Sequence, residues 1–423
     1  MQFSSQNRGN TDARNIIPVV FFSGLSFVIS IIVARLAVNF YGSIGILHLG
    51  YALNGLSMAY LWGSLSSESG LIRRFIIHVT DKENGFLLTF FILTPIIGAL
   101  GFFITASITS SNSLLSSKVL YIIWLLLIVC APHIAYIKSS LISNGSAGLK
   151  TFLEFCLSIS VLASFLFIKS AQQILFFIPM ISALITLAVI VFYTKFHENY
   201  LHQTFVKTIK KNDFLTCLSQ YRFSLHSLNS GILYILTLLT LRDFLIDTIG
   251  SDSAAVLESH FRSLIWFVAL TTVISANIIF PFIIRTVSNA PQKVLKSLFP
   301  VVLLSFFGFL FFGTILGGLI FFLAFGDTIK FSLYYLFLFS LYESLKFSGS
   351  IFSATLLGLN RVSITIISEI ILYTPFLIFC VVHSFDLLKL SSPVSIALNL
   401  MIGSAFVYLL FLIICSFFAL QKK

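Results

Sequence analysis

Long stretches without a single charged residue restrict this chain to very few folds. One of them runs from Leu298 to Phe325 and consists largely of Leu, Ile, Val and Phe. Inside a bilayer every backbone N–H and C=O group must be satisfied by the protein itself, so only helices and closed barrels span it. A lipid-facing barrel strand alternates between apolar and polar residues, and these runs do not alternate. The sequence therefore predicts an all-α polytopic membrane protein.

About twelve spans of roughly 20 residues each can be placed along the 423 residues. A charged fraction of only 10% excludes a water-soluble globule, in which about 25% of the residues are charged. An even number of spans puts both termini on the same side of the membrane. The predicted spans are 16–40, 43–66, 84–109, 118–142, 150–169, 172–194, 216–241, 262–284, 297–325, 332–358, 362–382 and 393–419.

The distribution of Lys and Arg predicts the orientation. Of 26 such residues, 17 fall in termini or loops on the side of the termini and six on the other side. Because basic loops remain in the cytoplasm, both termini are predicted to be cytoplasmic. The remaining three, Arg35, Arg222 and Lys346, fall inside predicted spans.

A hydrophilic segment divides the spans six and six. We predict an N-terminal six-helix lobe at 1–194, a cytoplasmic amphipathic linker at 195–213 and a C-terminal six-helix lobe at 214–423. A two-lobed transporter needs such a linker for its halves to rock about a midplane site. An ordinary connection lying on anionic lipid explains the segment equally well. On the opposite side, the acidic segment 243–258 is predicted to be a loop, too short for a catalytic domain.

Motifs of soluble enzymes and motors are absent from the sequence: there is no GxxxxGK[ST], HExxH or GxSxG. No catalytic residue, metal or other cofactor is predicted, and the charge of +11 is assigned to membrane-flanking loops rather than to nucleic-acid binding. The five cysteines lie singly in or beside apolar runs and are interpreted as packing residues. The functions that remain possible are those of a secondary transporter, a channel or an intramembrane enzyme.

Charges within spans point to function because each costs about 2.5–3.5 kcal/mol at a helix centre. Lys346 lies in the tenth span three residues after Glu343, so both project from one helix face. Either they neutralise each other, or Lys346 meets an anionic substrate in a wet cavity while Glu343 tunes or couples it. Arg35 and Arg222 either snorkel to the headgroups or face the same cavity.

Two further groups are candidates for proton coupling. Glu369 lies near the middle of the eleventh span and must be protonated, paired or hydrated there. His133, which follows Pro132 in the fourth span, is either a packed, hydrogen-bonded residue or a proton relay.

Four segments together resemble the Wzx family of polysaccharide repeat-unit flippases, within the multidrug/oligosaccharidyl-lipid/polysaccharide exporter superfamily. They are VARLAVNFYGSIGILHLGYALNGL, SGLIRRFI, LRDFLIDTIGSDSAAVLESHFRSLIWFVALTTVISANIIFPFIIRTV and YESLKFSGSIFSATLLGLNRVSITIISEI. The likeness covers nearly the whole chain and is greatest to the branch that handles enterobacterial common antigen and O-antigen units. Glu258 and His260 depart from a common Trp-Gln pair, and Asp243 stands where a second basic residue is frequent.

This resemblance implies two six-helix bundles in a V, as in MATE proteins, around a central cavity. The implied substrate is an oligosaccharide on undecaprenyl pyrophosphate, flipped to the periplasmic leaflet by alternating access. The resemblance also implies that the chain is a monomer and that its partners are the polymerase and the chain-length regulator of the pathway. Cationic walls for the pyrophosphate would come from Arg35, Arg222, Lys346, Arg242 and Arg262.

Two other functions fit the same sequence. A multidrug exporter of the superfamily shares the twelve-helix plan, but it favours intramembrane acids over the three in-span bases found here. A polysaccharide polymerase or ligase needs a long, basic outward loop, whereas the predicted outward loop is short and acidic. A channel fits the predicted two-lobe plan less well.

Overall fold

The computed structural model describes residues 13–67, 71, 84–108, 118–143, 146–196, 211–274, 283, 291–359, 361–384 and 392–421. These residues form eleven long α-helices and one short 3₁₀ turn, Ala171–Gln173. The helices are α1 Ala13–Ser64, α2 Asn84–Ile108, α3 Lys118–Ser143, α4 Ala147–Ser164, α5 Ile174–Phe196, α6 Lys211–Ile249, α7 Ser251–Ile274, α8 Pro291–Phe325, α9 Leu333–Gly358, α10 Val362–Ser384 and α11 Pro393–Gln421.

The first helix contains the first two predicted spans. At Gly42 its backbone turns through a non-helical conformation with φ 63° and ψ −150°, between the predicted spans 16–40 and 43–66. A positive φ is costly for a residue with a Cβ atom, so a glycine is needed where the chain reverses. Within the described residues, seven helices are long and apolar enough to cross a membrane, and the bent α1 is among them.

The structure corrects the predicted acidic loop at 243–258. Helix α6 continues to Ile249, a turn at Gly250 with φ 79° follows, and α7 begins at Ser251 rather than at the predicted residue 262. The Gly250 N–H donates to Ile246 O, and the Ala254 N–H donates to Gly250 O. The prediction was wrong because it treated the charged residues near this turn as solvated, whereas several are buried against one another.

Packing places α1 at the centre of the molecule. It contacts α2, α3, α4 and α5, and also α6, α7 and α8. Helices α8 to α11 pack on one another, on α6 and on α7. The linker predicted at 195–213 lies mostly outside the described residues, so the division into lobes at that segment stays a prediction.

Polarity is distributed as expected for a chain surrounded by lipid. Large apolar side chains are exposed along the outer faces, including Leu304, Phe307 and Phe311 of α8. Small residues allow the helices to approach closely inside: a Cβ atom on Gly98 of α2 would lie 2.5 Å from the Trp62 carbonyl oxygen of α1. Many polar side chains lie buried between the helices.

Candidate functional site

A cavity of about 450 Å³ lies beside α1 in the interior of the helix bundle. Helices α1, α4, α5, α6 and α7 form its wall. Its polar lining consists of hydroxyl, amide and guanidinium groups, namely Asn54, Ser57, Tyr60, Ser158, Ser182, Tyr234 and Arg262, and Trp266 adds an indole ring. The rest of the wall is apolar, so the cavity combines a mostly apolar surface with a few polar groups that can bind hydrogen-bond acceptors.

A buried charge cluster reaches this cavity through Arg262. Nη2 of Arg242 and Nη2 of Arg262 each lie 2.6 Å from Oε1 of Glu258. Glu258 and Arg262 are one turn apart on α7, and Arg242 approaches from the end of α6. All three side chains are buried, and one carboxylate faces two guanidinium groups. A second carboxylate, that of Asp243, lies beside the cluster and accepts from Tyr51, over whose ring Arg242 lies.

Several donors near this cluster have no acceptor among the described residues. They are Nε of Arg262, Nε and Nη1 of Arg242, and Nδ2 of Asn54. Asn54 is only 7% exposed, Arg262 only 5%, and both line the cavity. A buried donor without an acceptor costs about 1–3 kcal/mol, so these groups favour a ligand rich in oxygen acceptors.

Contacts between α1 and the α6–α7 turn join the helix groups on one side of the cavity. Ser43 Oγ donates to Asp252 at 2.5 Å, the Tyr51 hydroxyl donates to Asp243, and Arg242 lies over the Tyr51 ring at 4.6 Å. Gly50 makes this approach possible, because a Cβ atom there would lie 2.5 Å from Nη2 of Arg242. We refer to this side, which carries Gly42 and Gly250, as the Gly42 end.

On the side away from the Gly42 end lies a smaller cavity of about 170 Å³. Ser158 and Trp266 line both spaces. The smaller cavity is further lined by Ser23, Ser26 and Ser30 of α1 and by Thr151 and Glu154 of α4. A row of hydroxyl groups therefore leads to Arg262 from the far end.

Behind the cavity wall lies a second buried ion pair. Lys346 Nζ donates to Oε1 of Glu343 at 2.7 Å and lies 4.4 Å from the centre of the Tyr234 ring. The ring of Tyr342 lies 5.5 Å from the same ammonium group. Because Tyr234 lines the cavity, Lys346 is separated from it by one aromatic ring. The pairing of Lys346 with Glu343 is the first of the two alternatives given above, and contact of Lys346 with an anionic substrate stays a prediction.

The sequence matches no protein-family profile and no curated protein. Solved structures, however, resemble nearly the whole chain. An inward-facing multidrug resistance MATE family transporter of the MOP superfamily superposes with a TM-score of 0.61 at 14% identity, over 96% of both chains. Its outward-facing conformation gives 0.60 at 13%, over 97% of this chain and 96% of that one. The chain has the MATE transporter fold.

A third similar structure is that of a MOP superfamily transporter from Pyrococcus furiosus whose binding pocket is described as having reversed polarity. Its TM-score is 0.59 at 16% identity, over 97% of this chain and 96% of that one. The all-α, membrane-spanning, MATE-like fold expected from the sequence is confirmed.

Within this MATE fold the predicted cationic residues do not form one cluster. Arg242 and Arg262 are joined through Glu258, and Lys346 lies behind Tyr234. Arg35 lies instead against the turn after α8, where a Cβ atom on Gly326 would be 3.0 Å from its Cζ atom. The side chain of Arg222 lies outside the described residues.

The three residues predicted to couple transport to ion movement also lie in different surroundings. Glu343 holds Lys346, and its Oε2 atom has no hydrogen-bond partner within the part of the chain that is described. The buried Glu369 carboxylate lies near the hydroxyl groups of Ser230 and Tyr408. His133 stacks on Phe91 with ring centres 4.2 Å apart, in the α2–α3 region away from both acids.

Sequence reasoning missed Glu258 as the residue that links the two arginines, and it missed Asn54, Tyr51 and Tyr234 altogether. The four-residue spacing of Glu258 and Arg262 was a usable signal, since it places both on one helix face. His260, by contrast, is structural. Its Nε2 accepts from the Ser332 N–H at 2.7 Å, so Nδ1 carries the proton and donates to Val256 O at 2.6 Å.

Proposed function

We propose that this chain is a secondary transporter that flips undecaprenyl-pyrophosphate-linked oligosaccharide units from the cytoplasmic to the periplasmic leaflet. The observation that carries the proposal is the Arg242–Glu258–Arg262 cluster. It brings guanidinium groups with unsatisfied donors to a mostly apolar cavity whose wall also carries hydroxyl groups. A pyrophosphate supplies the oxygen acceptors that these donors lack.

The need for such a cavity follows from the bilayer. A pyrophosphate with attached sugars cannot cross about 30 Å of hydrocarbon without losing its hydration. Hydroxyl groups such as those of Ser57, Ser158 and Ser182 supply replacement hydrogen bonds along the wall. The polyprenyl tail stays in the lipid, and alternating access moves only the polar head.

Orientation follows from the positive-inside rule. The Gly42 end is then periplasmic, and the smaller cavity opens toward the cytoplasm. In this orientation a substrate from the inner leaflet of a bacterial inner membrane reaches the smaller cavity before it reaches Arg262. The proposed partners are the polymerase and chain-length regulator of the pathway, acting beside a monomeric transporter.

Ion coupling is part of the proposal. Glu343 and Glu369 are buried carboxylates close to the α6 wall, where protonation would change the balance of charge around Lys346. His133 remains a separate candidate in the first half of the chain. Arg35 and Arg222 remain candidates for contacts with the head group in another conformation.

A multidrug or cation exporter is the second candidate. The similar structures include multidrug resistance transporters, and the rings of Tyr60, Tyr234 and Trp266 offer faces for an aromatic cation. This function predicts that the acids near the cavity, rather than Arg262, determine transport.

The test is complementation of a strain that lacks its own repeat-unit flippase, with surface polymer and retained lipid-linked units measured together. Arg262→Gln should lose surface polymer while inserting normally. Lys330→Gln removes the same charge from an exposed turn and serves as the matched control. Normal polymer with Arg262→Gln, or drug resistance without any polymer in the cognate gene cluster, would favour the multidrug function.

A further inference from the structure

One face of α1 lies against Arg262 in the wall of the larger cavity. Gly50, Asn54 and Ser57 follow one another at spacings of four and three residues, so they lie on the same helix face. A Cβ atom on Gly50 would lie 2.7 Å from Nη2 of Arg262, so this guanidinium group touches the backbone of α1. Asn54, Ser57 and Arg262 all line the cavity. The first polar side chain on this face of α1 beyond the contact is therefore that of Asn54.

The side chains of Asn54 and Arg262 extend toward the same place. The part of α1 that follows Gly42 and the whole of α7 both begin at the Gly42 end. Because helical side chains tilt toward the N-terminus of their helix, both of these side chains extend back toward that end. Asn54 follows Gly50 by one turn, or about 6 Å along the helix axis, so its amide group approaches the level at which Arg262 contacts α1.

Each of the two residues carries a buried donor that the described part of the chain does not satisfy. These donors are Nδ2 of Asn54 and Nε of Arg262. Glu258 accepts from Nη2 of Arg262, but it leaves Nε of the same guanidinium group without an acceptor in the described ranges. Only 7% of the Asn54 surface is exposed, and that residue lines the cavity. Donors left in this state are satisfied by the oxygen atoms of a ligand.

From this geometry we infer that Asn54 of α1 and Arg262 of α7 form a clamp for one phosphate group of the substrate, and that Asn54 makes the cavity select anions. The inference rests on the proposed function and names the residue that determines its specificity. An ionised phosphate group carries several acceptor oxygens and no donor, so it satisfies both donors at once. A cation leaves both donors unsatisfied and is repelled by the guanidinium group, so the clamp rejects it.

Replacement of Asn54 by Leu should have opposite effects on stability and on binding. Leu has the same branching as Asn but no unsatisfied donor, and the cavity leaves room for its methyl groups. In the absence of ligand, the Tm of Asn54→Leu should therefore rise by about 1–5 °C. Anion binding should weaken about tenfold to hundredfold, because a hydrogen bond to a charged group is lost.

Replacement of Asn54 by Asp tests selectivity. Asn54→Asp keeps the size of the side chain but puts a carboxylate in place of the amide donor. Anion binding should weaken by about a hundredfold or more, because like charges then face each other. A cation should bind Asn54→Asp more tightly than it binds the wild type. Asn39→Leu and Asn39→Asp are the matched controls, since Asn39 is an exposed asparagine of the same helix.

The experiment is a calorimetric titration of the full-length protein in nanodiscs of neutral lipid, with geranyl pyrophosphate as the anion and tetraphenylphosphonium as the cation. The Tm of each variant is measured on the same samples without ligand. Weaker anion binding by Asn54→Leu, at an unchanged or higher Tm, supports the clamp. A lower Tm for Asn54→Leu, or an anion affinity equal to that of Asn39→Leu, identifies Asn54 as a packing residue and would overturn the inference.

The two proposals fail in different ways. If geranyl pyrophosphate binds the wild type and Arg262→Gln weakens binding while both Asn54 variants match the wild type, the clamp is refuted and the proposed function stands. If the wild type binds tetraphenylphosphonium but not geranyl pyrophosphate, both fail. The phosphate of an anionic lipid has the same chemistry as the substrate head. If phosphatidylglycerol in the nanodiscs abolishes the difference between Asn54→Leu and the wild type, the site belongs to a lipid headgroup and its assignment to the substrate is overturned.

Discussion

Replacement of Glu258 by Gln should destabilise the folded protein strongly, because two buried guanidinium groups share that carboxylate. Both Nη2 atoms lie 2.6 Å from the same oxygen, so the substitution removes two charge-assisted contacts and leaves two like charges side by side. Removal of one partner from a buried ion pair costs about 3–5 kcal/mol. For a chain of this length, roughly 1–2 °C per kcal/mol gives a fall in Tm of about 3–10 °C.

The assay is thermal unfolding in detergent followed with a thiol-reactive dye, since Cys130 and Cys380 are buried in the folded state. Asp327→Asn makes the same chemical change on an exposed turn and should shift Tm by less than about 1 °C. Adding Arg242→Gln to Glu258→Gln should recover more than half of the loss, because one guanidinium remains and two amide oxygens can accept from it. A Tm of Glu258→Gln equal to that of Asp327→Asn, or a double variant as unstable as the single one, would refute the reasoning.

Three further outcomes follow from the same geometry. Gly50→Ala should lower Tm because the added Cβ atom would clash with the guanidinium groups of Arg242 and Arg262. Gly24→Ala is the control: no atom lies within 4 Å of its added Cβ atom, so Tm should stay unchanged or rise. Equal Tm shifts for the two variants would contradict this prediction. A short methanethiosulfonate cross-linker between Ser43→Cys and Asp252→Cys should block transport until reductant is added, and reagent-treated wild type is the control. Lys346→Ala should abolish polymer export at normal protein level, and unchanged export would exclude Lys346 from transport.

Hydropathy predicted most helices because a long apolar run is by itself sufficient evidence of a membrane-spanning helix. The ends of α2, α3 and α9, for example, agree with the sequence within about two residues, as expected for boundaries of this kind. Hydropathy failed at the α6–α7 turn for a specific reason. Arg242, Glu258 and Arg262 are charged, but they are buried because they pair with one another, and a hydropathy window does not detect such pairing.

The candidate site was predictable only in part for the same reason. In-span position identified Lys346 and Glu343, which are neighbours on one helix face, and the structure pairs them. Position within a span could not predict where the Arg35 side chain lies, because Arg35 packs against Gly326, which is distant in sequence. Asn54 and Tyr234 carry no charge, so their positions in the cavity wall follow only from how α1 and α6 pack.

The one-residue turn at Gly250 also bears on how this protein is made. Helices α6 and α7 meet there as a hairpin, and Arg242, Glu258 and Arg262 face one another within it. Two arginines and a glutamate inserted one helix at a time would each face hydrocarbon alone, at about 2.5–3.5 kcal/mol per charge. Inserted as a hairpin, they enter the bilayer with their counter-charge beside them, before α8 has left the ribosome. The charged cluster that reaches the cavity through Arg262 therefore also eases the biogenesis of the helices that carry it.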